Sequence, residues 1–277
     1  MLLRRDRSWG MIVPVTLMIV CSHAFGETTK FSDSVILTCQ SGDRPSQYHY
    51  HAQGPGWPMP VQPECCAVDA ESRVYIAQCR GPFGIRVLIF SEEGHHIVTL
   101  EVEALVSSVV DMAVQNKTAP IVIMAVHFGL YGEYVMCMNS RELTVTIVGS
   151  RGVLGKDELK QSVSADNEAL FREIERIRLD GSRLDIIHRE EGKVFMNSFD
   201  IDAGKMTVVN APEPEWHQAA EQELHQKRQI LHDAGVGGIM DFRQGPGGRF
   251  YYMLIDTDIL EVHKVTFEKE SSSDERR

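Results

Sequence analysis

The chain has 277 residues, of which 24% are charged, and a formal net charge of −11. An acidic surface of this kind disfavours nucleic acid and anionic lipid as partners, because both carry negative charge themselves. No apolar stretch after Cys21 approaches the ~20 residues that a membrane-spanning helix needs.

The first 26 residues resemble a targeting segment. Three arginines, Arg4, Arg5 and Arg7, precede the apolar run Met11 to Cys21, and the small residues of "AFG" at 24–26 suit a cleavage site. We therefore expect residues 1–26 to be a signal peptide, and the mature chain to be exported to the periplasm or secreted. This segment carries three Arg and one Asp, so its removal leaves 251 residues with a net charge of −13. A buried N-terminal strand is the alternative for the same run.

Export changes the interpretation of the five cysteines that remain after cleavage, which are Cys39, Cys65, Cys66, Cys79 and Cys137. In an oxidising compartment disulfide pairing is the default expectation, and the odd count leaves at least one thiol free. The spacing is not CxxC, so zinc is disfavoured.

The expected register of the β-hairpin excludes some of the possible disulfide pairs. If the turn centres on Glu71, Cys65 faces Ala77 and Cys66 faces Ile76, while Cys79 lies opposite Pro63. Neighbours two to three residues along a strand are ~7–10 Å apart, which is too far for a disulfide. We expect Cys39, rather than Cys79, to pair with Cys65 or Cys66.

From Pro63 onward, short apolar segments alternate with turn residues. The segments "CAV", "RVYIAQ", "IRVLIF" and "HHIVTLEV" are typical of successive strands, and four further segments follow up to "LTVTIV". Val68 and Val114 hold similar places in the two groups and lie 46 residues apart. A third group has a hairpin signal at Asp180–Gly181 and a turn at Ala203–Gly204. A fourth runs from "GGIMDF" to "LEVHKVTF".

Four-stranded units that recur every forty to fifty residues are the signature of a β-propeller. We predict an all-β fold, a propeller of about five or six four-stranded blades over residues 27–267, with residues 268–277 as a disordered polar tail. A pair of β-sandwiches is the alternative.

The stretch from Pro63 to Gly94 resembles an NHL-type propeller repeat. The residues that match are Pro63, Ala67, Val68, Asp69, Val74, Tyr75, Ile76, Ala77, Arg86, Val87, Phe90 and Gly94. The usual turn glycine is absent from "DAESR", and Gln78–Cys79 replaces a polar pair. Residues 241–254 repeat the plan with glycines restored. The resemblance implies a propeller fold and carries almost no information on function.

Two segments depart from the strand pattern. The residues at 213–234 begin with proline and acidic residues and stop before Gly235, which predicts an inserted amphipathic helix of roughly Glu215 to Asp233. Its apolar stripe is Trp216, Ala220, Leu224 and Leu231, and we expect Trp216 and Leu224 to dock on the protein's own β-surface. Residues 166–178 suit either a helix or a strand.

The candidate binding residues lie in the stretch that precedes Pro63. His49 and His51 flank Tyr50, and Trp57 stands among glycines and prolines, so the stretch is typical of a loop. Two histidines alone do not make a metal site. The aromatic rings, with Tyr48, would instead suit stacking on a sugar or another ring. A surface loop without a ligand is the simpler alternative.

Two further metal patterns are weak. Asp200 to Lys205 begins like a calcium loop but lacks the later ligands, and the hairpin explains Gly204. His217, Glu221 and His225 recur every four residues on one helical face, which a solvated face with favourable contacts also explains. We predict no metal site, and the cofactors remain unknown.

The sequence has no GxSxG, HExxH, phosphate-loop or GxGxxG motif. Two functions stay open. The first is an exported binding protein whose loop face takes a protein or glycan. The second is a propeller enzyme, a metal-dependent hydrolase or sugar-type dehydrogenase, with its site at the channel mouth. An enzyme would need acidic side chains that converge on the axis, and Asp69, Asp111 and Asp241 are the candidates.

Overall fold

The computed structural model describes residues 16–20, 30–42, 44–48, 62–80, 84–102, 106–117, 119–127, 133–141, 145–149, 152–154, 171, 173–256 and 258–268. Within these residues the chain forms eighteen strands and one α-helix. The strands make four sheets, and every strand pair is antiparallel.

The first two sheets follow each other along the chain. Sheet 1 contains β3 (Pro63–Val68), β4 (Val74–Cys79), β5 (Ile85–Phe90) and β6 (His96–Val102). Sheet 2 contains β7 (Ser108–Gln115), β8 (Ile121–His127), β9 (Glu133–Asn139), β10 (Val145–Gly149) and β11 (Gly152–Leu154). In each sheet the spatial order of the strands equals their order in the chain. Each is therefore a simple meander.

Sheet 3 is a third meander, and sheet 4 joins the two ends of the chain. Sheet 3 contains β12 (Glu173–Asp180), β13 (Arg183–Glu190), β14 (Lys193–Asp200) and β15 (Lys205–Pro212). Sheet 4 combines β1 (Thr16–Val20) and β2 (Lys30–Gln40) with β16 (Ile239–Gln244), β17 (Phe250–Asp256) and β18 (Ile259–Phe267). Its order is β1-β2-β18-β17-β16, so an N-terminal strand completes a C-terminal meander.

Burial explains why the strands of sheet 1 read as nearly continuous apolar runs. Every residue of β4 and β5 is buried, whereas the last strand, β6, is mostly half-buried or exposed. Sheet 1 therefore has neighbours on both faces, and only its outer edge meets solvent. One face packs on sheet 4 and the other on sheet 2.

The sheets pack face to face in the order 4, 1, 2, 3. The sheet 1–sheet 2 interface buries Tyr75, Val87, Met124 and Tyr134. The sheet 4–sheet 1 interface buries Leu37, Ile76, Leu88 and Met253. The sheet 2–sheet 3 interface buries Ile123, Val135, Leu184 and Phe199. We call these interfaces seams 1–2, 4–1 and 2–3.

In each sheet, the first strand of the meander has a β-bulge near its start. The first strands β3, β7, β12 and β16 each shift register early, between Pro63/Cys65, Val109/Asp111, Ile174/Arg176 and Ile239/Asp241. A bulge inserts one unpaired residue and increases the local twist. The residues directly after the bulges therefore hold equivalent places. Counted from them, Val68 and Val114 are also equivalent, which explains their spacing.

The helix α1 (Glu215–Asp233) follows sheet 3 and precedes sheet 4. Its Leu224 and Leu231 are buried against Phe31, Phe250 and other residues of sheet 4. They cover the face of sheet 4 that is turned away from sheet 1. The predicted bounds of the helix are confirmed, and so is its docking on the protein's own β-surface.

Other expectations have mixed outcomes. The all-β fold is confirmed, and the hairpins at Gly181 and Gly204 are present, each with its glycine at positive φ. The ambiguous segment is a strand from Glu173 onward. The described residues form four sheets, so the expected five or six blades are not confirmed. Thr16–Val20, inside the predicted signal peptide, pairs with Lys30–Ser34.

The predicted disulfides are wrong. None of the described cysteines forms a disulfide, and all five, Cys39, Cys65, Cys66, Cys79 and Cys137, are buried. The adjacent Cys65 and Cys66 point to opposite faces of sheet 1, so they enter different seams. Cys65 does face Ala77 and Cys66 does face Ile76, but Pro63 lies opposite Gln78 rather than Cys79. The bulge at Glu64 causes that difference.

Candidate functional site

The four sheets share a common orientation, which defines two ends of the molecule. At the end we call the loop end, β2 and β6 finish while β3 and β7 begin; the residues there include Gln40, Pro63, Val102 and Ser108. The opposite, turn end carries tight turns such as those at 69–73 and 181–182. The connections from sheet 4 to sheet 1, from sheet 1 to sheet 2 and from sheet 3 to α1 therefore leave from the loop end.

The predicted binding residues His49, Tyr50, His51 and Trp57 lie outside the described residues. The described residues that flank them, Tyr48 and Pro63, lie at the loop end. Tyr48 itself is fully buried in seam 4–1 and cannot stack on a ligand. The suggestion that Tyr48 contributes to a stacking surface is therefore wrong.

A largely buried polar cluster is built on Arg243. Its guanidinium bonds both oxygens of Asp241, at 2.8 and 2.9 Å, and reaches Asp111 Oδ1 of sheet 2 at 2.9 Å. It also donates to the carbonyl of Met112 at 2.8 Å. Only 13% of the Arg243 side chain is exposed. One arginine therefore connects the first strands of sheets 4 and 2.

The same two carboxylates also accept backbone N–H groups. Asp241 accepts the N–H of Cys66 at 2.8 Å, and Asp111 accepts the N–H of Ile177 at 2.8 Å. Asp241 thus connects sheet 4 to sheet 1, and Asp111 connects sheet 2 to sheet 3. Both aspartates directly follow a bulge, at the equivalent position. The first strand is an edge of its sheet, so these bonds satisfy amides that the sheet itself leaves unpaired.

Seam 1–2 uses a different acid for the same purpose. The position equivalent to Asp111 and Asp241 is Cys65 in sheet 1, which cannot accept such a bond well. The bulged residue Glu64 accepts the N–H of Val109 at 2.5 Å instead. Burial raises the pKa of Glu64 to about 7, although bonds from the Val109 and Cys79 amides act in the opposite direction. Glu64 is therefore a carboxyl at the loop end that titrates near neutrality.

Between sheets 3 and 4 the polar contacts are of another kind and involve α1. The residue at the equivalent position in sheet 3 is Arg176, and its Nε lies 2.8 Å from a carboxylate oxygen of Glu221 on α1. Two residues on, the Arg178 guanidinium lies 4.5 Å from the centre of the Trp216 ring. The helix therefore contacts sheet 3 through paired polar groups and sheet 4 through apolar ones. Trp216 docks by a cation–π contact rather than by complete burial.

The three aspartates proposed for an enzyme centre do not converge. Asp111 and Asp241 meet at Arg243, but Asp69 lies at the turn end. There Asp69 accepts the amides of Glu71 and Arg73, the Arg73 Nε at 2.6 Å and the Tyr75 hydroxyl at 2.9 Å. Asp69 therefore shapes the β3–β4 turn.

The weaker metal patterns also find ordinary explanations. Asp200 accepts the amides of Asp202 and Ala203 in its turn, and Asp202 pairs with Lys117. His217 is buried and bonds Glu213 at 2.7 Å, so the expectation of a solvated face is wrong for this residue. Over the residues that the structure describes, no three His, Cys, Asp or Glu side chains are grouped as metal ligands.

Sequence reasoning missed Arg243, Glu64 and Arg86. Arg86 was noted only as part of the NHL-like pattern, yet it is 3% exposed and bonds three backbone carbonyls. The "DFR" triplet offered a signal for Arg243, because residues two apart in a strand share a face. The role of Glu64 depends on a bulge that the sequence does not reveal.

Comparisons with known proteins identify no family. No protein-family model matches the chain, and no curated protein matches it. A solved structure of a proposed exported protein from Bacteroides fragilis aligns over 92% of this chain and 96% of its own. The two are 10% identical with a TM-score of 0.25, so nothing about this chain is drawn from that similarity. No helix within the described ranges is long and apolar enough to cross a membrane.

Proposed function

We propose that this is an exported, noncatalytic binding protein with a degraded, NHL-like propeller architecture. Its ligand, a protein or a glycan, binds the loop end, where His49, Tyr50, His51 and Trp57 belong. The protein binds neither nucleic acid nor metal in this proposal, consistent with its acidic charge.

The arrangement of the sheets supports the propeller. Four sheets succeed one another in the chain, each starts with a bulged first strand, and neighbours pack face to face. Strand β2 completes sheet 4 beside β18, as expected when a ring is closed by its two termini. In this proposal α1 occupies the interval between sheets 3 and 4, where a further blade would otherwise complete the ring.

The observation that carries the noncatalytic assignment is the occupation of the central acids. Asp111 and Asp241 each bond Arg243 and a backbone amide of a neighbouring sheet. A propeller enzyme needs acids that are free to bind metal or transfer protons to a substrate. Acids that hold the sheets together do not meet that need. Binding through the loops leaves the centre to its structural role.

The binding proposal is tested with the chain from Glu27 to Arg277 on an immobilised panel of oligosaccharides and peptides. We expect Trp57→Ala and His51→Ala to weaken binding by roughly tenfold or more, as loss of a central aromatic contact does. The matched control is His95→Ala, an exposed histidine at the turn end. Equal binding by all variants would contradict a loop-end site. Turnover of chromogenic ester or glycoside substrates that is lost in Glu64→Gln would favour the enzyme instead.

A further inference from the structure

We infer that Arg86 is a positioning residue that fixes segment 41–48, of which all residues but Asp43 are described and which precedes the proposed binding loop. The inference relies on the proposed function only for the purpose of the loop. The geometry of the segment stands independently of it.

The Arg86 guanidinium faces the backbone of this segment. Its Nη1 donates to the carbonyl of Gln47 at 3.1 Å, and its Nη2 lies 3.3 and 3.4 Å from the carbonyls of Arg44 and Pro45. Thr99, on the adjacent strand β6, donates its hydroxyl to the same Pro45 carbonyl at 2.6 Å. Sheet 1 therefore holds three carbonyls of this segment through one guanidinium and one hydroxyl.

Backbone hydrogen bonds join the two ends of segment 41–48. The N–H of Gly42 donates to the carbonyl of Tyr48 at 2.9 Å, and the N–H of Tyr48 donates to Gln40 at 3.3 Å. Gly42 has φ of 153°, and a Cβ there would lie 2.3 Å from Gln47 Oε1. The chain therefore enters and leaves the segment at one point. Tyr48, fully buried in seam 4–1, fixes that point between two sheets.

An arginine suits this task for a specific reason. The planar guanidinium presents several donors in a fixed fork, so one buried side chain can bond several carbonyls at once. Glu101 lies 3.3 Å from Nε, on the more exposed side, and balances the charge. A lysine would keep the charge but could not reproduce the fork. A neutral side chain would leave the carbonyls without their donor.

The test is amide hydrogen exchange in the mature chain, which requires no ligand. The informative amides are those of Gly42, Gln47 and Tyr48, because each donates a backbone bond inside or at the base of the segment. In Arg86→Gln we expect these amides to exchange about tenfold faster or more, while the strands of sheets 2 and 3 keep their protection. Arg86→Lys should give a smaller increase, and it serves if the glutamine variant folds poorly.

The matched control is Arg73→Gln. Arg73 is also an arginine of sheet 1 that bonds a buried partner, Asp69, but it lies at the turn end. We expect it to leave exchange in segment 41–48 unchanged. If the amides of Gly42, Gln47 and Tyr48 exchange at the wild-type rate in both Arg86 variants, the inference is overturned. If exchange rises as expected but the wild-type chain binds nothing on the panel, the positioning role stands and the proposed function fails.

Discussion

Arg243, Glu64 and Arg86 show how single buried polar residues organise the molecule. Each one bonds a strand edge or a connection that would otherwise leave backbone groups unpaired in the interior. Buried polar groups without partners cost roughly 1–3 kcal/mol each, so these side chains stabilise the packing of one sheet on the next. Their chemistry is matched to amides and carbonyls of this protein, rather than to a substrate.

Glu64 should make stability depend on pH. Its pKa is about 7 in the folded protein against an ordinary value of 4.5, because burial disfavours the charged form. The unfolded chain therefore releases this proton first, and the free energy of unfolding falls as pH rises from about 4.5 to about 7. In the wild type we expect the free energy of unfolding to be lower at pH 8 than at pH 5 by on the order of 2 kcal/mol, as measured by urea unfolding. Glu64→Gln should abolish this difference.

The control for that comparison is Glu71→Gln, an exposed glutamate of the same sheet with 64% of its side chain accessible. It should leave the pH dependence as in the wild type. If Glu64→Gln also leaves it unchanged, Glu64 is charged in the folded protein throughout this range.

The cysteines give a second test at the level of residues. Burial raises the pKa of Cys39 to about 11 and that of Cys137 to about 12, and it also raises the pKa of Cys65 and Cys66 well above the ordinary value. The thiolate is the reactive form, so these thiols should resist alkylation in the native state. We expect iodoacetamide to add nothing to the folded chain from Glu27 to Arg277 and five groups to the same chain in urea. Two cysteine-containing peptides that are joined by a disulfide before reduction would contradict this expectation.

At the level of elements, the sequence predicted what depends on local patterns. The helix has clear start and stop signals, and the β3–β4 register follows from a short turn, so both were correct in their main features. The bulges, the pairing of Asp111 with Arg243, and the completion of sheet 4 by β2 depend on residues far apart in the chain. Periodicity within one segment contains no information on such contacts. The sequence also does not show that Cys65 enters seam 1–2 while Cys39 and Cys66 line seam 4–1, and no disulfide joins the described cysteines.

The docking of α1 can be measured directly. Leu224 is 7% exposed and packs among Phe31, Phe250 and Tyr252, so Leu224→Ala should cost about 2–4 kcal/mol of unfolding free energy and lower the melting temperature. Trp216→Ala should cost less, since Trp216 is half-buried and loses mainly its contact with Arg178. Gln222→Ala, on the exposed face, is the control. A melting temperature unchanged in Leu224→Ala would mean that the helix is not packed on sheet 4.

At the level of the whole molecule, neighbouring sheets are joined by a repeated device with one exception. In seams 4–1, 1–2 and 2–3, a carboxylate from the start of one sheet accepts an amide from the start of the next. Between sheets 3 and 4 an arginine of sheet 3 meets a glutamate of α1 instead. The helix therefore packs on the face of sheet 4 that is turned away from sheet 1 and contacts sheet 3 through a charged pair.

The most direct test of this account is the unfolding free energy of Arg243→Met, measured by urea denaturation of the chain from Glu27 to Arg277. If Arg243 holds Asp111 and Asp241 in a structural centre, its loss leaves two largely buried carboxylates without their cation. We then expect a loss of about 3–5 kcal/mol, much of which the triple variant with Asp111→Asn and Asp241→Asn should recover. An Arg243→Met protein as stable as the wild type would contradict the structural centre, and Asp111 and Asp241 would again be candidates for catalysis.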